Sequence, residues 1–147
     1  MLIDKNTFSA MLRSVAGLWR QNTDGLSEID SRFGDGDHGV TIGKIAALTE
    51  RRLDGWESAS IKDFIEGLSM GIMGISGGSA GPLYGTLVEG LAAPLTEGTT
   101  EIDAPLLKAM LAGSRDAMFD ITKARVGDKT MMDALIPAVE AAQAAPD

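Results

Sequence analysis

Three aspartates fall within one short segment, Asp30-Ser31-Arg32-Phe33-Gly34-Asp35-Gly36-Asp37-His38-Gly39. Carboxylates packed this closely repel one another unless a cation sits among them. A hard cation such as Mg²⁺ takes oxygen ligands in octahedral geometry and keeps phosphate oxygens and water in the remaining positions. Gly34, Gly36 and Gly39 let the backbone turn tightly enough for Asp30, Asp35 and Asp37 to converge. The other reading is a solvated acidic turn that caps the following helix, a place where Asp is favoured anyway. His38 is the only histidine of the chain. It is open equally to a structural use and to a role beside Asp37.

Two further loops stand out, Ser76-Gly77-Gly78-Ser79-Ala80-Gly81-Pro82 and Lys123-Ala124-Arg125-Val126-Gly127-Asp128-Lys129-Thr130-Met131. Glycines leave backbone N–H groups open, and a helix N-terminus carries partial positive charge, so an anion can bind there. Helix starts after Gly39 and after Gly81 could grip one diphosphate from two sides; a plain helix–helix turn is the alternative. Familiar signatures fail here. Gly34-x-Gly36-x-x-Gly39 follows no strand and sits in no βαβ unit, as a dinucleotide fingerprint requires. Gly39 to Lys44 lacks the spacing and hydroxyl of a P-loop. An EF-hand would need Glu where Ala46 stands. No Ser–His–Asp or Cys–His arrangement can be argued for.

The text between the loops is helical. Phe8, Met11, Leu12, Val15, Leu18 and Trp19 follow the i, i+3, i+4, i+7 spacing of an amphipathic helix. Ile61, Phe64, Ile65, Leu68 and Ile72 repeat it, with Ser60 and Asp63 placed as a capping box. Leu83, Leu87 and Leu91 form another stripe, with the helix beginning near Pro82. Leu107, Met110, Leu111, Ser114, Met118 and Ile121 follow an Asp103 N-cap, with Pro105 tolerated in the first turn. Met132, Leu135, Ile136 and Val139 mark the last helix, which Pro137 should bend. One more helix runs from Gly39 to Leu53, giving about six helices and no convincing strand. The Met and aromatic residues on these stripes are expected in the core.

The bulk numbers suit one soluble domain over residues 1–147. Hydrophobic residues make up 44% and charged residues 23% of the 147. No apolar run approaches the roughly 20 residues that cross a bilayer, and the first residues lack a signal-peptide pattern. The absence of cysteine rules out disulfides and thiolate zinc sites. A net charge of −8 disfavours nucleic acid as a partner. It leaves nucleotides open, because a bound divalent cation reverses the local sign. A cytoplasmic protein is expected, with no membrane partner.

With these residues in view, the chain resembles the ADP-binding L subunit of phosphotransferase-system-dependent dihydroxyacetone kinases, a domain that also forms the C-terminal part of ATP-dependent dihydroxyacetone kinases. The resemblance is carried by three motifs in register. They are Asp30 with Gly34-Asp35-Gly36-Asp37-His38-Gly39, then Gly77-Gly78-Ser79-Ala80-Gly81-Pro82-Leu83-Tyr84-Gly85, then Gly127-Asp128-Lys129-Thr130-Met131 with Asp133 and Pro137. It implies an all-α antiparallel helical barrel with the nucleotide at one end. Asp30, Asp35 and Asp37 would hold two Mg²⁺ ions on the diphosphate of ADP or ATP. His38, Gly39, Val40, Thr41, Ser79 and Ala80 would contact the nucleotide, and Thr122 and Met131 would line its pocket.

The implied partners are a dihydroxyacetone-binding kinase subunit and a phosphohistidine-carrying phosphotransferase subunit. Competing expectations are the nucleotide domain of an ATP-dependent kinase for another small keto-sugar, such as a tetrulose, and a non-catalytic metal- or partner-binding helical module. Ser79-Ala80 inverts the family's order of a small residue before a hydroxyl, and Thr122 stands where the family has glycine. The family also has two further helices and an Arg-bearing, Asp-Pro-Gly-containing segment closing over the nucleotide, so six helices are an incomplete version of an eight-helix fold. An open pocket and homo-oligomer formation are therefore expected, with Trp19 and Val139 at the exposed edge.

Overall fold

The computed structural model describes residues 2–146. Seven helices follow one another among the described residues: α1 Lys5–Gln21, α2 Thr23–Asp30, α3 His38–Asp54, α4 Ile61–Met73, α5 Ala80–Ala92, α6 Ala104–Ile121 and α7 Met132–Ala144. The expected all-α class is what forms. A two-residue antiparallel ladder is added, β1 Ile3–Asp4 on β2 Glu101–Ile102, with Ile3 opposite Ile102. Both isoleucines are buried. The pair is too short to produce an alternating pattern in the sequence.

Helix α2 is the element that spacing misses. It has eight residues and only Leu26 and Ile29 as large apolar positions, so no stripe can develop. Asn22 separates it from α1, its Nδ2 donating to the Leu18 carbonyl at 2.7 Å. Helix α2 then packs on a small-residue face of α3. A Cβ at Gly39 would overlap the Thr23 carbonyl oxygen, and one at Gly43 would lie 3.3 Å from Thr23 Cγ2. Close backbone approach is thus what Gly39 provides, and it brings Asp30, at the end of α2, beside the start of α3.

The starts written into the sequence hold. Ser60 and Asp63 form a full capping box and Asp103 accepts from Leu106 N–H; Asp4, not among the expected caps, caps α1 by accepting from Thr7 N–H. Such caps each contribute about 1 kcal/mol. The core joins Ile42, Ile45 and Leu53 of α3 to Ile61, Phe64, Ile65, Leu68 and Ile72 of α4, with Phe8, Ile102 and Met110 around them. Each such side chain contributes roughly 1.5–3 kcal/mol on burial. Helix α5 meets α6 backbone to backbone, since a Cβ at Gly90 would sit 2.5 Å from Ser114 Cα. Two buried hydroxyls tie the same layer: Ser69 donates to the Gly85 carbonyl at 2.9 Å and Ser114 to the Leu87 carbonyl at 2.5 Å.

The edge expected at Trp19 and Val139 takes another form. Val139 is fully buried, and Trp19 is half-buried with its ring edge-on to Tyr84 at 6.0 Å. The exposed apolar positions of α1 are Met11, Val15 and Leu18. Only the Phe8–Leu12–Trp19 side of that stripe reaches the core. No helix among the described residues is long and apolar enough to cross a membrane.

Candidate functional site

The acidic segment links α2 to α3. Asp30 closes α2, and Asp37 is the N-cap residue of α3 without a side-chain cap bond of its own. The Asp30 carboxylate takes that duty, accepting from His38 N–H at 3.4 Å, while Asp35 accepts from Asp37 N–H at 3.3 Å. Gly36 bridges the last two aspartates at φ +77°, a conformation that L side chains rarely adopt. As a result Asp30, Asp35 and Asp37 each offer a carboxylate oxygen within 4.8 Å of the others.

Burial, then the charge of Asp35, holds the Asp37 carboxyl above its usual range. That is the electrostatic condition in which a cation relieves repulsion. The donors are all hard oxygens, partly exposed, without nitrogen or sulfur among them. They fit Mg²⁺, which favours carboxylate oxygens together with phosphate and water.

Beside this cluster opens a cleft of about 430 Å³, formed where α3 and α5 begin and α6 ends. His38, Ser79, Ala80, Thr122 and Met131, all expected from the family resemblance, line it. The other named positions lie elsewhere. Gly39 is buried under α2, Thr41 is buried facing the Gly77 loop, and Val40 is 56% exposed. Leu83, Tyr84, Met118, Ala124, Thr130 and Met132 complete the wall. Met118 and Met132 count as core by spacing and are fully buried, yet they also border the cleft. Tyr84 belongs to the second motif, and its place before Gly85 was its only signal. Burial raises its phenol pKa, which keeps that wall uncharged.

The third loop is shaped by carboxylates. Asp133 accepts from Gly127 N–H at 2.6 Å and Thr130 N–H at 2.8 Å, and Asp128 accepts from Arg125 N–H at 2.8 Å. Those two donors, Gly127 first, hold the Asp133 carboxyl below its ordinary value. Asp133 thereby sets the path of Thr130 and Met131 along the cleft.

The structure is an all-α helical bundle in which three carboxylates converge beside a mostly apolar cleft. More particularly, the chain belongs to the DAK2 domain family, whose model matches residues 32–147. It is 33% identical over 145 residues to the ADP-binding subunit DhaL of PEP-dependent dihydroxyacetone kinase 2 of Listeria innocua, covering 97% of this chain and 67% of that protein. Dihydroxyacetone kinase 1 of Saccharomyces cerevisiae is 32% identical over 149 residues, covering 98% of this chain and 25% of that one. Human triokinase/FMN cyclase is 35% identical over 120 residues, covering 81% and 20%. The chain therefore spans about two thirds of the bacterial subunit and a quarter or less of the two longer kinases.

Proposed function

We propose that residues 1–147 form a nucleotide-carrying domain of a dihydroxyacetone-type kinase, holding ADP or ATP with two Mg²⁺ ions. The observation that carries this reading is the juxtaposition of the Asp30, Asp35 and Asp37 carboxylates with an apolar cleft of about 430 Å³. A nucleotide needs both, one for its diphosphate and one for its base. The relatives named for ADP binding support the same choice. When bound, Mg²⁺ would neutralise diphosphate charge and align the transferring phosphoryl group.

The chain's own part is positioning. Asp30, Asp35 and Asp37 hold the cations, while Ser79 and Ala80 at the start of α5 face the phosphates. His38, Thr122, Met131 and Tyr84 enclose the rest and exclude water. In this reading little covalent chemistry falls to the chain's own side chains. The sugar would be bound by a separate dihydroxyacetone-binding subunit, and a phosphohistidine-carrying subunit would recharge the resident ADP in the cytoplasm.

A second reading is favoured by the likeness to long kinase chains: a nucleotide domain of an ATP-dependent kinase for dihydroxyacetone or another small keto-sugar. Mass spectrometry of nucleotide released from the purified protein tests both. Retained ADP supports the carrier, free exchange with ATP supports the second reading, and no nucleotide affinity in Mg²⁺ overturns both.

A further inference from the structure

Asp37, Thr41 and Lys44 recur at i, i+4 and i+7 and so share one side of α3. That side carries the loop before α5. The Lys44 ammonium donates to the Ser76 carbonyl oxygen at 3.0 Å. Gly77 follows in the notch between the three side chains. A Cβ there would lie 3.0 Å from Thr41 Oγ1 and 3.9 Å from both Asp37 Oδ2 and Lys44 Nζ. A Cβ on Gly78 would lie 3.8 Å from Asp37 Oδ2. The two glycines have φ of +132° and +54°, so the chain passes over the Asp37 carboxylate in a conformation that L side chains rarely adopt.

Two features of this seat bear on a ligand. The backbone N–H groups of Gly77, Gly78 and Ser79 donate to no described residue. Lys44 forms no ion pair with any described residue, although its ammonium lies near a carboxylate cluster. Open N–H groups in succession, with a positive charge at their root, suit the oxygens of a phosphate. Two adjacent glycines also have the most conformational freedom to lose on binding. An anchor at the residue before them lowers that cost in advance.

We propose that Lys44 is a positioning residue for a phosphate-binding loop. Its ammonium fixes Ser76, and through it holds the N–H groups of Gly77, Gly78 and Ser79 beside the Asp37 carboxylate. The inference rests on the Mg-nucleotide reading above. It separates two duties: the aspartates hold the cation from α2 and α3, while Lys44 governs the loop that meets the anion.

The test uses the whole chain as wild type, Lys44→Met and Lys44→Arg. Calorimetry would follow Mg-ADP binding, and the spectrum of Mn²⁺ would follow metal binding without nucleotide. Lys44 is exposed, so neither variant should alter the fold. Lys44→Met should weaken Mg-ADP binding about tenfold, the scale of one charge-assisted hydrogen bond. It should leave Mn²⁺ affinity unchanged or slightly raised, because a cation near the carboxylates has been removed. Amide exchange at Gly77–Ser79 should quicken in the nucleotide-free variant. Lys44→Arg keeps a charged donor and should restore most of the affinity and the protection. A Lys44→Met protein that binds Mg-ADP as the wild type does, or a Lys44→Arg protein that fails to recover, overturns the proposal alone. A wild type that binds no Mg-ADP removes the nucleotide reading and this inference together.

Discussion

The His38 ring lies against the Tyr84 ring, with centroids 6.2 Å apart and planes tilted by 39°. His38 opens α3 directly after Asp37, and Tyr84 stands on α5 in the wall of the cleft. The contact therefore joins the aspartate segment to the apolar cleft. Trp19 meets Tyr84 edge-on, so α1 braces the same wall.

Tyr84→Ala removes both ring contacts. Aromatic pairs contribute about 0.5–1.5 kcal/mol each beyond their buried area. The variant should weaken nucleotide binding while Mn²⁺ alone still binds, and Tyr84→Phe should resemble wild type. Fluorescence titration with a labelled nucleotide measures the difference. Equal losses in the Ala and Phe variants would assign the effect to the hydroxyl instead.

Mg²⁺ and ADP together should stabilise the protein, and either alone much less. The clustered carboxylates need the cation, and the cation needs phosphate oxygens to complete its shell. At a hundred times the dissociation constant the gain is about 2.7 kcal/mol. Melting curves with Mg-ADP, ADP alone, Mg²⁺ alone and a chelator make the comparison. Four superimposed curves would remove the site.

Much of this was legible in the sequence, and the reasons are local. Ser60 with Asp63, and Asp103 with Pro105, write helix starts within four residues, and both starts formed. The aspartate cluster could be read because a short Gly-rich segment leaves its carboxylates few other arrangements. Helix α2 could not, since its eight residues are shorter than the window in which a face is recognised and carry only Leu26 and Ile29 as large apolar positions. Packing decided the rest. Spacing gives Met11, Val15 and Leu18 the same standing as Phe8 and Leu12, but only contact with α3 selects which ones are covered. The Lys44–Ser76 contact was equally hidden, because the partner is a backbone carbonyl 32 residues away.

Asp35→Asn and Asp37→Asn should each abolish metal-dependent nucleotide binding and leave helical content intact. The segment lies outside the core, and neither carboxylate caps a helix through a side-chain bond. Loss of one repelling charge should leave the metal-free protein as stable as before or slightly more so. Circular dichroism with calorimetry separates the outcomes: an unfolded variant would make these aspartates structural.

Gly90→Ala and Gly17→Ala are the same substitution in two helices, with opposite expected signs. At Gly90 the new methyl would overlap the Gly113 carbonyl oxygen and Ser114 Cα, both backbone, so α5 and α6 must part. Overpacking of this kind costs roughly 1–3 kcal/mol. At Gly17 nothing lies within 4 Å, so the gain in helix propensity should stabilise by about 0.5–1 kcal/mol. Urea denaturation reads both. A neutral Gly90→Ala would mean that the α5–α6 crossing has slack the close approach does not suggest.

Acid should loosen the third loop through Asp133. Its carboxyl titrates below its ordinary value of 3.8 in the folded chain, because Gly127 and Thr130 N–H groups bind the ionised form. The unfolded chain therefore takes up this proton first as pH falls. The stabilisation is complete above the ordinary value and is lost as pH drops through the folded one. Asp37 acts in the opposite sense, since its raised pKa favours the folded state at low pH and the advantage fades as pH rises. Asp133→Asn should thus be less stable than wild type at neutral pH and lose less on acidification below 3.8. It should also weaken nucleotide binding, since Thr130 and Met131 would no longer be held along the cleft. Urea midpoints measured down the acid limb give the test: parallel slopes for the two proteins would mean that the Gly127 and Thr130 bonds do not hold in solution.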